Sequence, residues 1–370
     1  MKKFTAVLLV LMLSFSLILT GCGGGSSGFT GNKDATYTVA NVVNGNLGDK
    51  SFFDSAEAGL KRLADAGVIR YKTIELGGSD QDMPKWKESL IEVSDSGDYD
   101  LVICGTWQMN DILAEVAPKY PDQNFLIYDS SVPCDNVCSI NYRQNDMGYI
   151  VGAFASALTT ATEFDRINQD PVIGFVGGED GPVINDFLVG YIEGAQSVNP
   201  DIKVDVRYVG GFVDSAKGKE LAIGMINQSA VDIVWGVAGN AGNGAAEAAN
   251  ELSAWFIGVD SDQELTFTDA QADLAKVTMT SGLKNIGESL EWFFTEWNAG
   301  NTHWGEELWL GLEENGVGFV TDKNFKTTPQ AVQDAALNAQ NQVMSGNVKV
   351  SSAFGDNPVD INAIRNSVQP

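Results

Sequence analysis

Five polar residues and five aromatic residues stand where this chain could hold a small molecule. Asn44, Asp129 and Asp260 close short apolar runs. Asp49 lies in the loop after the first run, and Lys284 follows a run ending at Ser281. Phe52 and Phe53 end that same loop, Trp107 and Phe212 sit just beyond later runs, and Phe187 lies on an apolar helical stretch. Flat rings hold a planar ligand by stacking, worth about 1–3 kcal/mol per base in nucleic-acid complexes. A carboxylate at a strand end accepts hydrogen bonds from sugar hydroxyls. A second carboxylate takes protons from ring nitrogens or an exocyclic amine, and a lysine reaches the other face of a sugar or offsets an acid. This set suits a nucleoside better than an amino acid, which needs an ion-pairing group at each end.

Catalysis is disfavoured by the same inventory. His303 is the only histidine, far in sequence from every cysteine, which argues against a Cys-His pair, a serine triad and a zinc site. Gly174, Gly177, Gly178 and Gly181 do not form a dinucleotide loop in phase with their strand. We expect no catalytic residues, no cofactor and no metal. Each binding candidate also has a plainer account. Phe187 shares a helix face with Ile184, Leu188 and Tyr191, so core packing fits it as well as ligand contact does. Of Phe52 and Phe53 one points to the cleft and one to the core, and Phe53 has the better core periodicity. Trp107 is a lid or plain surface. Lys284 is a ligand contact or a solvated residue at a helix start. Gly239, with Gly236, Gly242 and Gly244, permits close backbone approach or loop flexibility.

The elements that must position these residues start with Tyr37–Leu60. Val39, Val42 and Val43 form a strand-length run, Asn44-Gly45-Asn46 ends it, and Ser51 with Asp54 resembles a capping box. Ala56, Leu60, Leu63 and Ala64 recur at helical spacing, and Gly67 closes the helix. Strands at 68–76, 100–105, 125–129 and 137–142 alternate with helices near 85–93 and 110–117. A helix around 147–158 follows. The pattern restarts with strands at 171–178, 202–210, 231–237 and 255–260, and helices at 183–195, 215–226 and 244–252. Alternation of this kind predicts α/β lobes with parallel sheets and a cleft at the carboxyl ends of the strands. Segments at 275–281, 285–294, 307–312 and 329–344 are too few for a third lobe and fit passages that recross between two.

The N-terminus reads as an address. Met1-Lys2-Lys3 and the uncharged apolar stretch Phe4–Leu19 form a secretory signal, residues 1–21. Leu19-Thr20-Gly21-Cys22 resembles a bacterial lipobox, which implies cleavage before Cys22 and lipidation of its thiol. Residues 22–36 then form a flexible tether. The chain carries 23 basic and 49 acidic residues, a net charge of −26, which disfavours nucleic acid and anionic ligands. Cys134 and Cys138 are spaced for a local disulfide in an oxidising compartment, and Cys104 reads as a buried small hydrophobe.

Several motifs resemble the basic membrane protein (PnrA-like) family, substrate-binding lipoproteins of ABC transporters, several of which bind purine nucleosides. They are GDKSFFDSAEAGL, DMGYIVGAFASAL, VIGFVGGEDGPVINDF, DSAKGKELA, GVDSDQ, TSGLK and GLEENGVGF. The resemblance implies a type I periplasmic-binding fold with two Rossmann-like lobes and three crossovers. The lobe boundaries expected are 37–163 plus about 263–300, and 164–262 plus about 301–325. Residues 326–370 form a helix and tail packing back on the lobes. The resemblance also implies that Asp260 and Lys284 hold ribose and Asp129 reads the base. Phe212 and one of Phe52 and Phe53 would stack on the base, with Phe187 as a third ring. This chain departs from the family in having Asn44 for an aspartate and Phe52-Phe53 for Phe-Asn. The expected role is extracytoplasmic delivery of a nucleoside by a lipid-anchored monomer to an ABC permease. The alternative is a sensory or surface-interaction lipoprotein binding another small molecule.

Overall fold

The structure, a computed structural model, describes residues 28–370 apart from Asp80. The signal segment and Cys22 lie outside the described residues. The first lobe is built from β1 (Tyr37–Val43), α1 (Phe52–Asp65), β2 (Ile69–Glu75), α2 (Met83–Ser96), β3 (Leu101–Gly105), α3 (Asn110–Val116), β4 (Asn124–Tyr128) and β5 (Val137–Tyr142). The chain then enters α4 (Gln144–Thr159), β6 (Val172–Gly177), α5 (Pro182–Val198), β7 (Lys203–Tyr208) and α6 (Ser215–Ser229). It continues through β8 (Ile233–Val237), α7 (Asn240–Glu251), β9 (Trp255–Asp260), the short helices α8 (Gln263–Thr266) and α9 (Ala272–Ala275), and β10 (Thr278–Lys284). Last come α10 (Ile286–Asn298), β11 (Glu307–Leu310), β12 (Val317–Phe319), α11 (Gln330–Met344) and α12 (Ile361–Ser367).

Two six-stranded sheets result, in the orders β11-β5-β4-β3-β1-β2 and β12-β10-β9-β8-β6-β7. All pairings are parallel except β10 with β12. Helices cover both faces, so strands such as β6, β8 and β9 are buried along their whole length and read as continuous apolar runs. The chain passes between lobes three times, at 142–144, 284–286 and 310–317.

The two sheets redraw the expected lobe boundaries. The strand at 278–284 pairs with β9, so it belongs to the second lobe, whereas 263–300 was expected in the first. The strand at 307–310 pairs with β5 in the first lobe, whereas 301–325 was expected in the second. Helix α4 packs on α5 and so leaves the first lobe before residue 163. Alternation along the chain shows that a strand exists but not which sheet receives it. The α4–α5 contact is close because each helix carries paired glycines. A Cβ at Gly148 or Gly152 would meet backbone of Phe187 or Tyr191. One at Gly190 or Gly194 would collide with the carbonyls of Asn145 or Tyr149.

Residues 326–370 pack on the second lobe. Helix α11 lies against α4, Val368 accepts a bond from the Val204 amide of edge strand β7, and Arg365 pairs with Asp180 at 2.8 Å. The spacing left a Cys134–Cys138 bridge open, and the structure has none: Cys104, Cys134 and Cys138 are free thiols. Cys138 belongs to one core cluster while Cys134 packs against another. Burial pushes the Cys104 and Cys138 thiols up to about 12.

Candidate ligand-binding site

A cavity of about 380 Å³ lies between the lobes, within the range of about 300–1,000 Å³ usual for small-molecule sites. Its walls come from the carboxyl ends of β1, β3, β4, β8 and β9, where open α/β sheets bind ligands. Every sequence-derived candidate lines it: Asn44, Asp49, Phe52, Phe53, Trp107, Asp129, Phe187, Phe212, Gly239, Asp260 and Lys284. Backbone conformation marks the same strand ends. Thr106 after β3, Asp129 after β4 and Asp260 at the end of β9 all have positive φ, at 73°, 62° and 62°. A non-glycine residue held there costs about 1–3 kcal/mol, and such strain collects at ligand sites.

Lys284 anchors the floor. It is the last residue of β10, only 1% exposed, and not a solvated residue at a helix start. Its Nζ lies 2.6 Å from Asp129 Oδ1 and within 4.7, 5.5 and 5.7 Å of the ring centres of Phe187, Tyr142 and Phe52. Its direct ion-pair partner is thus Asp129. Asp260 is the second acid of the group. Burial raises it to about 7, the charge of Lys284 opposes the rise, and Asp129 and Asp49 add to it.

Two helix-start expectations change. Ser51 makes no side-chain cap. Asp49 does that work, accepting from the amides of Ser51, Phe53 and Asp54 at 3.1, 2.9 and 3.2 Å, while Asp54 accepts from Gly48 and Lys50. Asp49 therefore shapes the cavity wall with a carboxylate already occupied, and burial lifts it to about 6. The two phenylalanines do not divide between cleft and core, since both line the cavity. Phe52 packs against the core beside Tyr128, with ring centres 5.4 Å apart, and Phe53 covers Gly45, where a Cβ would clash with its ring. Phe187 satisfies both of its accounts, being core-packed at 1% exposure and part of the cavity wall. Phe212 lies over Gly178 in the same way that Phe53 lies over Gly45, and Trp107 stands at the rim, 40% exposed.

The lobes are drawn together over this cavity. Three successive carbonyls of the first-lobe loop, those of Asp49, Lys50 and Ser51, accept from Asn243 Nδ2, Thr266 Oγ1 and Ser261 Oγ of the second lobe at 3.1, 3.1 and 3.0 Å. Thr106 and Gln108 also line the cavity and were not singled out from sequence. Thr106 precedes and Gln108 lies in a single 3-10 turn, Trp107–Met109, and both are common polar types with no local pattern to mark them.

Two Rossmann-like lobes, three crossovers and an interlobe cavity at the carboxyl ends of the strands are the plan of a solute-binding protein of the type I periplasmic fold. The chain belongs to the PnrA-like substrate-binding proteins of ABC transporters, whose family model matches residues 36–353. It is thus a binding component of a transporter and not an enzyme. It is similar to the CD4+ T-cell-stimulating antigen of Listeria monocytogenes, 33% identical over 342 residues that cover 86% of this chain and 90% of that protein. It is also similar to the ABC transporter nucleoside-binding protein BmpA of Lactococcus lactis, 29% identical over 369 residues, covering 95% and 100%. A crystal structure of an ABC-transporter solute-binding protein from Aeropyrum pernix matches the fold with a TM-score of 0.72 at 24% identity, over 90% of this chain and 99% of that one.

Proposed function

We propose that this protein captures a nucleoside, with a purine base, outside a membrane and hands it to an ABC-type permease. The observation that carries the reading is one cavity joining the buried Lys284–Asp129 pair and Asp260 to the rings of Phe52, Phe187 and Phe212. The polar end suits ribose hydroxyls and the rings suit a planar base. The name of the Lactococcus relative, a nucleoside-binding protein, supports the same ligand class. Among the described residues no helix is long and apolar enough to cross a membrane. Attachment through acyl chains on Cys22 meets the need for an anchor, two chains giving stable binding where one does not. The protein acts as a monomer that closes on its ligand because one ligand touches both lobes.

Calorimetric titration tests this. Protein lacking residues 1–22, unfolded and refolded to strip bound ligand, is titrated with guanosine, inosine, adenosine, cytidine and ribose. Saturable binding of purine nucleosides, lost in Asp260→Ala, is the expected result. Silence across the panel from folded protein contradicts the assignment.

A further inference from the structure

Three side-chain amides of the second lobe form one chain of hydrogen bonds. Asn240 Nδ2 donates to the Val213 carbonyl at 2.9 Å, and Asn240 Oδ1 accepts from Asn243 Nδ2 at 3.3 Å. Asn243 Oδ1 accepts from Gln263 Nε2 at 3.2 Å, and Gln263 Oε1 accepts from the Val259 amide at 3.1 Å. The chain ends on main-chain groups that have a single role. A carbonyl only accepts and an amide N–H only donates, so each end fixes the direction of every bond between them, and the two ends agree. Asn243 therefore faces one way only, with its nitrogen toward Asn240. The same nitrogen reaches across to the first lobe and donates to the Asp49 carbonyl at 3.1 Å. Gln263 is itself held in place. Its backbone amide donates to Ser281 Oγ at 3.1 Å, and its side chain lies over Gly258, where a Cβ would press on it. On the first-lobe side Lys50 has a φ of 62°. That turn breaks the alternation of an extended chain, so the Asp49, Lys50 and Ser51 carbonyls all meet second-lobe donors. Asn243 and Gln263 are buried, and neither lines the cavity.

We infer that Asn243, oriented by Gln263, is the central grip of an interlobe clasp on the 49–51 loop, and that this clasp strengthens ligand binding without touching the ligand. Apart from Asp49, the side-chain partners of Asn243 all lie in the second lobe, so its amide is set before the lobes meet. Closure then needs no reorientation of that side chain, which lowers its cost. The inference rests on the nucleoside reading and deepens it: contacts to base and ribose choose the ligand, and the clasp sets how firmly the closed lobes hold it. Gln263 is a positioning residue that acts through Asn243. The clasp raises affinity for every ligand that fits by the same factor and leaves preference among them unchanged.

The test uses changes of one atom. Asn243→Asp keeps the bond from Gln263 but sets an oxygen against the Asp49 carbonyl and Asn240 Oδ1. Gln263→Glu keeps the bond from Val259 but draws the Asn243 nitrogen to itself, which turns the Asn243 oxygen toward Asp49. Each variant, stripped of ligand, is titrated calorimetrically with inosine and guanosine, and its melting temperature is checked. Both variants are expected to bind both nucleosides roughly tenfold more weakly, with the inosine-to-guanosine ratio within about twofold of wild type. In an Asn243→Ala background, Gln263→Glu is expected to cause no further loss, because its effect passes through Asn243. Ser261→Ala combined with Thr266→Val removes the two flanking bonds at half-buried positions and carries the test if an amide variant fails to fold. It is expected to weaken both nucleosides at least threefold, again with the ratio kept. Folded variants with wild-type affinity overturn the inference and leave the nucleoside reading standing. So does a loss confined to one nucleoside, or a further loss from Gln263→Glu in the Asn243→Ala background. A wild type that binds neither nucleoside overturns the nucleoside reading and this inference together.

Discussion

Lys284 and the two acids around it concentrate the energetics of the cleft. Removing one partner from a buried pair leaves an uncompensated charge, at a cost of about 3–5 kcal/mol. Lys284→Met is therefore expected to destabilise the protein by about that amount in urea unfolding, and a change below about 1 kcal/mol would contradict the buried pairing with Asp129. Four buried carboxyls predict a pH response. Burial lifts Asp49 and Asp186 to about 6 and Asp232 and Asp260 to about 7, against about 3.9 for an unfolded chain. A group raised on folding binds its proton more tightly in the folded state. The stability it contributes is complete below the unfolded value and is lost as pH rises through 6 and 7. Scanning calorimetry of the stripped protein should give a higher melting temperature at pH 5 than at pH 8. Asp232→Asn, far from the cleft and bonded to Thr159 and Asn168, should flatten that slope. Nucleoside affinity should move the other way, because the proposed contact has ribose hydroxyls donating to ionised Asp260. It should weaken below about pH 7, by at most about tenfold per pH unit. The types of Asp260, Asp129 and Lys284 were legible because each ends or follows an apolar strand. The partner choice within that trio was not, since it depends on how three strand ends converge.

At the level of elements, the α4–α5 contact is the most demanding. Gly152 and Gly194 face backbone carbonyls with no room for a Cβ. Overpacking of this kind costs about 1–3 kcal/mol. Gly152→Ala should lower the urea midpoint accordingly without changing which ligand binds, and an unchanged midpoint would contradict the close approach. The order of strands and helices was readable because short β-rich runs alternate with helical periodicity. Cap chemistry was not, because Asp49 and Ser51 both suit a helix start and only the fold of the Gly45–Lys50 loop chooses Asp49. The three-residue strand β12 is too short to show any period, and it is the one antiparallel partner in its sheet.

For the whole molecule, the three crossings make closure a rotation of one lobe against the other. The bonds from Asn243, Ser261 and Thr266 to the 49–51 carbonyls exist only when the lobes meet. Small-angle scattering should show a smaller radius of gyration when ligand is added to stripped protein, and no change would contradict ligand-driven closure. The two-lobed plan was legible from two successive blocks of alternating elements. The assignment of the recrossing segments was not, because residues 278–284 and 307–310 suit either sheet until pairing decides.

The central claim is that ribose sits at Asp260 and the base lies among the rings toward Asn44. A crystal structure of stripped protein grown with inosine tests it most directly. The account predicts ribose hydroxyls within hydrogen-bond distance of Asp260 and a planar base against Phe52 or Phe212. An inosine bound in the reverse direction, or a cleft left empty at saturating inosine, would contradict it.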